Sequence, residues 1–94
     1  MRLNDLETLP NAIGLLFKLK NLNVSSNKLM TIPDSIGDML MLKNLNLSNN
    51  KLKGIPTAVE NLHSLKLLNL KANHWIMIPE NVKKLEFEGF DIIL

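Results

Sequence analysis

Residues 42–64 read LKNLNLSNNKLKGIPTAVENLHS, and this 23-residue unit recurs on both sides of itself. Full copies occupy residues 19–41 and 65–87, and residues 1–18 are the tail of a further copy in the same phase. The phase is kept by prolines that lie 23 residues apart, at Pro10, Pro33, Pro56 and Pro79. Such repetition indicates stacked units that bury a continuous core together, rather than one irregular globule.

Each unit opens with an alternating pattern that predicts a short strand. In the central unit, Leu45 and Leu47 alternate with polar residues, so one face of the strand is buried. Pro56 ends the extended stretch because proline lacks the N–H that a sheet requires. Val59 and Leu62 follow at the i, i+3 spacing of a short helix or 3₁₀ turn. The repeat therefore predicts an α/β right-handed solenoid, with a parallel sheet on one face and return segments on the other.

The composition describes a small domain without covalent cross-links. The chain has 94 residues, of which 20 are leucine, 13 are asparagine and none is cysteine, and its net charge is +2. Disulfides and thiolate metal sites are therefore excluded. The sequence contains no run of about 18 apolar residues, the length that a membrane-spanning helix needs. The opening MRLNDLETLP lacks the apolar run of a signal peptide, so the sequence predicts a cytoplasmic location.

The unit LxxLxLxxNxLxxIPxxIxxLxx resembles the leucine-rich repeat in its 23-residue intracellular form, and the resemblance covers residues 1–87. It is most similar to the repeats of Ras-pathway scaffolds, of Scribble- and Erbin-like polarity proteins and of plant Ras-group repeat proteins. The resemblance implies a curved horseshoe whose concave sheet binds other proteins, in a scaffold or signalling role. Residues 1–94 then form one domain, which ends in a strand or cap at 87–94.

Asparagine recurs where each predicted strand ends and the chain turns. A turn inside a stack leaves backbone N–H and C=O groups unpaired, and buried polar groups need partners. An amide side chain both donates and accepts, so one residue can bridge two adjacent turns. We therefore predict a buried structural column of four asparagines, namely Asn4, Asn27, Asn50 and Asn73.

The polar strand positions lie opposite the leucines, on the concave face. In the middle of this face, Asn23, Asn46 and Asn69 are predicted to form an amide ladder across the strands. The face is either a partner-binding surface or a solubilising one. The predicted partner-binding residues are Asn21, Asn23, Ser25, Ser26, Lys28, Asn44, Asn46, Ser48, Asn49, Lys51, Leu67, Asn69, Lys71, Ala72 and His74.

Charge is segregated within the repeat. The strand-and-turn halves, residues 19–31, 42–54 and 65–77, contain seven lysines and no acid. Such a surface favours an acidic protein partner, unless the lysines only keep the edges soluble. Nucleic acid is a weaker alternative because aromatic stacking residues are scarce and Arg2 is the sole arginine.

The sequence contains no catalytic constellation. It has no cysteine nucleophile and no glycine-rich phosphate loop, and neither His63 nor His74 has a carboxylate placed to orient it. The histidine spacing does not suggest a metal site either. We therefore expect a non-catalytic interaction module without cofactor or metal. The alternative is a fragment of a larger leucine-rich-repeat scaffold, receptor or ligase whose effector domain lies elsewhere.

The phase of the repeat slips near the C-terminus. Phe87, Phe90 and Ile92 reproduce the LxxLxL spacing one residue early. This predicts a fourth strand within residues 87–93, with 90–92 beside 68–70 and the return segment one residue shorter. A cap with both phenylalanines folded over the core is the competing interpretation.

The first unit begins within its strand and has no polar cap before it. The end units of repeat proteins expose an apolar face unless a cap covers it. The sequence therefore predicts self-association through the N-terminal face, which sedimentation over a range of concentrations tests.

Overall fold

The computed structural model describes residues 5–73, 76–84 and 91–94. Four short strands form one sheet in which all neighbours are parallel, in the order β1-β2-β3-β4. The strands are β1 Asn21–Asn23, β2 Asn44–Asn46, β3 Leu67–Asn69 and β4 Asp91–Ile93. Within the described residues, the return segments contain three 3₁₀ helices, Asn11–Leu15, Asp34–Asp38 and Thr57–Asn61, and the α-helix α1, Glu80–Lys83. The predicted solenoid of parallel strands and short return helices is confirmed. None of the helices described is long or apolar enough to cross a membrane.

The core consists of columns in which equivalent residues of successive units stack. Leu22, Leu45 and Leu68 form the central column, and each is at most 2% exposed. Burying a leucine side chain contributes about 1.5–3 kcal/mol, so the columns hold the coils together. The predicted return-segment residues Val59 and Leu62 are buried as well, and so are the equivalent residues Ile36, Met39 and Val82 of the neighbouring units.

Each return helix begins directly after a proline. Pro10, Pro33 and Pro56 have φ between −72° and −68° and ψ near 151–152°, which is extended backbone. Proline fixes this φ and gives up an N–H that the first turn of a helix leaves unpaired in any case. The isoleucine–proline pair thus ends the extended segment and starts the return helix, as the sequence predicts.

Glycine allows the first return helices to stack closely. A Cβ built on Gly14 would lie 2.6 Å from the carbonyl oxygen of Ser35, and one on Gly37 would lie 2.7 Å from that of Ala58. Both distances are too short for a carbon atom, and the clashing atoms belong to the backbone. The next unit has Glu60 at this position, so the close approach is specific to the first three coils.

The asparagine column is confirmed as a structural element for its three described members. Asn27, Asn50 and Asn73 accept the N–H of Leu6, Leu29 and Leu52, each 21 residues earlier, at 3.1 Å. Their amide nitrogens donate to carbonyl oxygens at the end of their own strands, at 2.8–3.0 Å. Asn50 and Asn73 also donate to Val24 and Leu47 of the preceding unit, at 3.1 and 3.0 Å. Asn4 lies outside the described residues.

The residue before each of these asparagines has a left-handed backbone. Ser26, Asn49 and Ala72 have φ values of 58°, 55° and 60°. A residue with a Cβ pays about 1–2 kcal/mol for this conformation, and asparagine tolerates it better than alanine. The 23-residue period is therefore visible in the backbone as well as in the side chains.

This strain predicts that Ala72→Asn stabilises the protein by about 0.5–1 kcal/mol, because asparagine adopts the left-handed region more readily. The urea midpoint of unfolding measures the change. Asn49→Ala is the reverse substitution at the equivalent position, and we expect it to destabilise by a similar amount. Equal midpoints for both variants and the parent chain would contradict the prediction.

The fourth strand is present within the predicted residues, but its predicted register is wrong. Ile92 pairs with Leu68, and Asp91 with Leu67, so the last interval is 24 residues instead of the 23 that separates the other strands. The return segment is one residue longer, not shorter. The return segment before β4 also differs from the others in containing a four-residue α-helix in place of a five-residue 3₁₀ helix.

The difference from the predicted register is two residues, which keeps Ile92 on the core side of the sheet. It is half-buried and packs against the core. The competing interpretation, a cap formed by Phe87 and Phe90, lies outside the described residues.

Candidate protein-binding surface

The concave face consists of two columns of side chains that flank the buried central leucines. In β1, β2 and β3 the central residue is buried, and the residues on either side of it are exposed or half-buried. The first column contains Asn21, Asn44, Leu67 and Asp91, and the second contains Asn23, Asn46, Asn69 and Ile93. Asp91 and Ile93 are not among the predicted members, although a two-residue change of register leaves both on this face. The sequence around Ile92 gives little signal for them, because Ile93 and Leu94 are apolar as well and break the alternation.

The predicted ladder of Asn23, Asn46 and Asn69 across the strands is not formed. The Oδ1 atom of each residue instead accepts the backbone N–H two residues later in its own unit, at 3.0 Å. This local turn competes with cross-strand pairing because the acceptor and donor are already close in sequence. A hydrogen bond between asparagine side chains of adjacent strands is found in the first column instead, where Asn44 Nδ2 donates to Asn21 Oδ1 at 2.6 Å.

Ser25 and Ser48 do not lie on the accessible surface, contrary to the prediction. They are 6% and 8% exposed, and their hydroxyls donate to the Oδ1 atoms of Asn23 and Asn46 at 2.6 Å. The alternation predicted them outside, but each strand ends two residues earlier and the chain then turns. Lys71 replaces serine in the next unit and is exposed.

The remaining predicted surface residues lie around the sheet. Ser26, Asn49 and Ala72 are exposed at the turns. Lys28 and Lys51 are exposed just beyond them, on the side of the solenoid where the chain leaves the strands. His74 lies outside the described residues.

A column of lysines borders the concave face at the start of the strands. Lys20, Lys43 and Lys66 are exposed. The N–H of Lys43 donates to the carbonyl of Lys20 at 2.7 Å, and that of Lys66 to Lys43 at 2.8 Å. Adjacent strands are about 4.8 Å apart, so three like charges stand close together. These three lysines are not among the partner-binding residues that the sequence predicts.

Among the residues described, the only ion pair joins Lys28 Nζ to the Asp5 carboxylate at 3.7 Å. The lysine column is thus not neutralised by the carboxylates of residues 5–73, 76–84 and 91–94. Asp91, whose N–H donates to the carbonyl of Lys66 at 2.9 Å, adds one acid at the far edge of the sheet. The potential beside the first three strands is positive and attracts anionic groups.

The described residues contain no cluster of three His, Cys, Asp or Glu side chains that could hold a metal ion. His63 is exposed in the turn after the third 3₁₀ helix.

Apolar side chains are exposed around the first return helix. Leu15 is 76% exposed, Phe17 55% and Leu16 42%, whereas Met39, which is equivalent to Leu16, is fully buried. This surface is where the sequence predicts self-association, which stays a prediction.

The stacked coils, the parallel concave sheet and the buried asparagine column define a leucine-rich repeat protein. The leucine rich repeat family model matches residues 17–74, and the chain belongs to this family. The narrower resemblance to Ras-pathway, Scribble- or Erbin-like and plant Ras-group repeats stays a prediction.

Two solved structures are similar to the chain. A leucine-rich repeat protein of Leptospira interrogans is 32% identical with a TM-score of 0.80, over 93% of this chain and 22% of that one. An internalin of Listeria monocytogenes is 29% identical with a TM-score of 0.66, over 92% of this chain and 24% of that one. The chain therefore spans about a quarter of the length of these proteins. The comparison with curated proteins gave no match.

Proposed function

We propose that this chain is a non-catalytic module that binds an acidic protein partner through its concave sheet. Leucine-rich repeats generally mediate protein–protein interaction, and curved repeat arrays offer extended concave surfaces for it. The observation that supports an acidic partner is the exposed column of Lys20, Lys43 and Lys66 beside the sheet. Carboxylates of a partner would meet these lysines while its polar groups meet the asparagine amides.

The size of the sheet limits what it can bind alone. Four strands of three residues cover about 14 Å by 10 Å at the usual strand spacing and rise. That is a flat area of roughly 140 Å², whereas a standard interface buries about 800 Å² on each partner. The lysine column and the turns that follow the strands must therefore contribute to the contact.

Charge reversal at the lysine column tests the proposal. A library of random peptides displayed on phage is panned on the immobilised chain, and we expect the recovered peptides to be acidic. Lys20→Glu/Lys43→Glu is expected to weaken their binding about tenfold or more, because opposite charges become like charges. Isothermal titration or fluorescence anisotropy measures the affinity.

Lys83→Glu/Lys84→Glu is the matched control. It changes the net charge equally, but its exposed lysines lie on the return segment after β3. We expect it to leave the affinity within about twofold. An equal loss in both double variants, or recovery of neutral and basic peptides, would contradict the proposal.

The alternative is that these repeats act as one segment of a larger scaffold, receptor or ligase. It is supported by the length of the two similar solved proteins, of which this chain covers only about a quarter. The same titration separates the two: affinity of about 1 μM or tighter, about −8.2 kcal/mol, supports a self-sufficient module. Much weaker binding supports the alternative. A cytoplasmic location and a signalling role remain proposals.

A further inference from the structure

A second concavity lies away from the concave sheet, on the side where the chain leaves the strands. It has a volume of about 590 Å³ and is lined by residues of three successive units. Gly54 forms its floor, and Met30 and Met77, 53% and 78% exposed, stand on either side. Most of the other lining residues are isoleucine and proline. We refer to this concavity as the Gly54 groove.

The groove exists because one side chain is missing from a column. Thr31 and Met77 occupy the position equivalent to Gly54 in the neighbouring units. The lack of a side chain at the middle position leaves a depression between its neighbours. Gly54 does not have a left-handed backbone, so its conformation does not explain the glycine. The volume falls within the range of about 300–1,000 Å³ that is typical of ligand pockets.

The backbone of the groove also differs from that of its neighbours. Met77 donates its N–H to the carbonyl of Lys53 at 2.8 Å, and Met30 donates to that of Glu7 at 3.4 Å. No backbone hydrogen bond of this kind joins Met30 to residues 53–54 in the described part of the chain. At this level of the stack the coil of Gly54 is joined to the following coil, where Gly54 and Met77 form a parallel bridge.

The middle of the groove is basic: Lys53 lines it, and Lys51 is exposed two residues earlier. The exposed acids lie at its two ends, where Glu7 is bonded to Met30 and Glu80 follows Pro79, so carboxylates of an occupant find their partners at the middle coil. Carboxylate–lysine pairing already occurs on this side of the solenoid: Asp5 occupies the position equivalent to Lys28, and its carboxylate is 3.7 Å from the Lys28 ammonium. Leu6, the next residue, accepts the N–H of Lys28 at 2.8 Å.

We propose that the Gly54 groove binds an extended acidic segment of a partner protein through one apolar side chain. That side chain sits over Gly54 between Met30 and Met77. The carboxylates next to it meet Lys51 and Lys53. This site is separate from the concave sheet and adds a contact area that the sheet alone lacks.

Methyl NMR of the chain with ¹³C-labelled methionine tests the proposal. The probe is a capped pentapeptide with one leucine between two pairs of glutamates, titrated to millimolar concentration. We expect saturable shifts of the Met30 and Met77 methyl groups and none at Met41, which is exposed on the opposite side, before β2. Peptides with alanine for leucine, or glutamine for glutamate, are expected to bind at least about fivefold more weakly.

Two variants complete the test. Gly54→Thr copies Thr31 and fills the floor; its Cβ would lie 3.3 Å from the carbonyl of Met77, which a small shift relieves. Lys53→Glu reverses the charge at the rim and leaves the floor open. Both are expected to abolish the shifts while a thermal melt shows an intact fold, and Lys20→Glu/Lys43→Glu is expected to retain them.

Absence of shifts at saturating peptide, shifts at Met41 as large as those at Met30, or equal binding of the alanine peptide would each overturn the proposal. The concave-sheet proposal is judged separately, because Gly54→Thr is expected to leave the affinity of library peptides for the lysine column unchanged.

Discussion

Asn50→Ala is expected to destabilise the protein by at least about 3 kcal/mol, since each buried polar group left unpaired costs about 1–3 kcal/mol. The side chain is 6% exposed and accepts the N–H of Leu29 at 3.1 Å. Its Nδ2 lies 3.0–3.1 Å from the carbonyl oxygens of Val24, Leu47 and Ser48. Alanine removes all of these partners at once from two adjacent coils. Equilibrium urea unfolding, followed by circular dichroism, measures the loss.

Two further variants isolate the cause. Asn44→Ala removes an exposed amide whose described side-chain hydrogen bond is to Asn21 on the preceding strand, and we expect a loss below about 1 kcal/mol. Asn50→Asp keeps an acceptor for Leu29 but no donor for the carbonyls, and it buries a charge, so it is expected to be as damaging as alanine. Equal stability of Asn50→Ala and Asn44→Ala would show that the column does not hold the coils together.

Gly37→Ala is expected to cost about 1–3 kcal/mol, the usual penalty for forcing an extra carbon into a packed contact. The new Cβ would lie 2.7 Å from the carbonyl oxygen of Ala58 and 3.1 Å from its Cβ. Relief requires the second and third return helices to separate, because the clashing atoms belong to the backbone or next to it. The urea midpoint again measures the change.

Glu60→Ala is the matched control at the same position of the following unit. Glu60 is exposed and already carries a Cβ, so we expect a change within about 0.5 kcal/mol. A Gly37→Ala variant as stable as the parent chain would mean that the return helices slide apart freely and that glycine has no packing role there.

Most of the fold can be predicted from the repeat alone. Leu45, Leu47 and Asn50 recur at fixed intervals, and a parallel sheet with a buried amide column is the arrangement that satisfies all of them. These features are periodic, so every unit repeats the same evidence. The family follows from the same pattern.

The features that sequence reasoning missed depend on exceptions to the period. The sequence predicts Ser25 on the exposed face because strand alternation is assumed to continue beyond Asn23, where β1 in fact ends. The register of β4 departs from the prediction because the interval from Leu68 to Ile92 is 24 residues and breaks the 23-residue period. The Gly54 groove depends on one missing side chain between Thr31 and Met77, whose effect appears only when the coils are stacked.

The asparagine hydrogen bonds between coils all join an asparagine to the coil before its own. In the described part of the chain, the N–H groups of Leu6, Leu29 and Leu52 are each accepted by an amide 21 residues further on. During synthesis on the ribosome, we therefore expect the N–H of that leucine to stay unpaired until the asparagine of the following coil has emerged. Folding of the nascent chain is then expected to trail translation by about one unit.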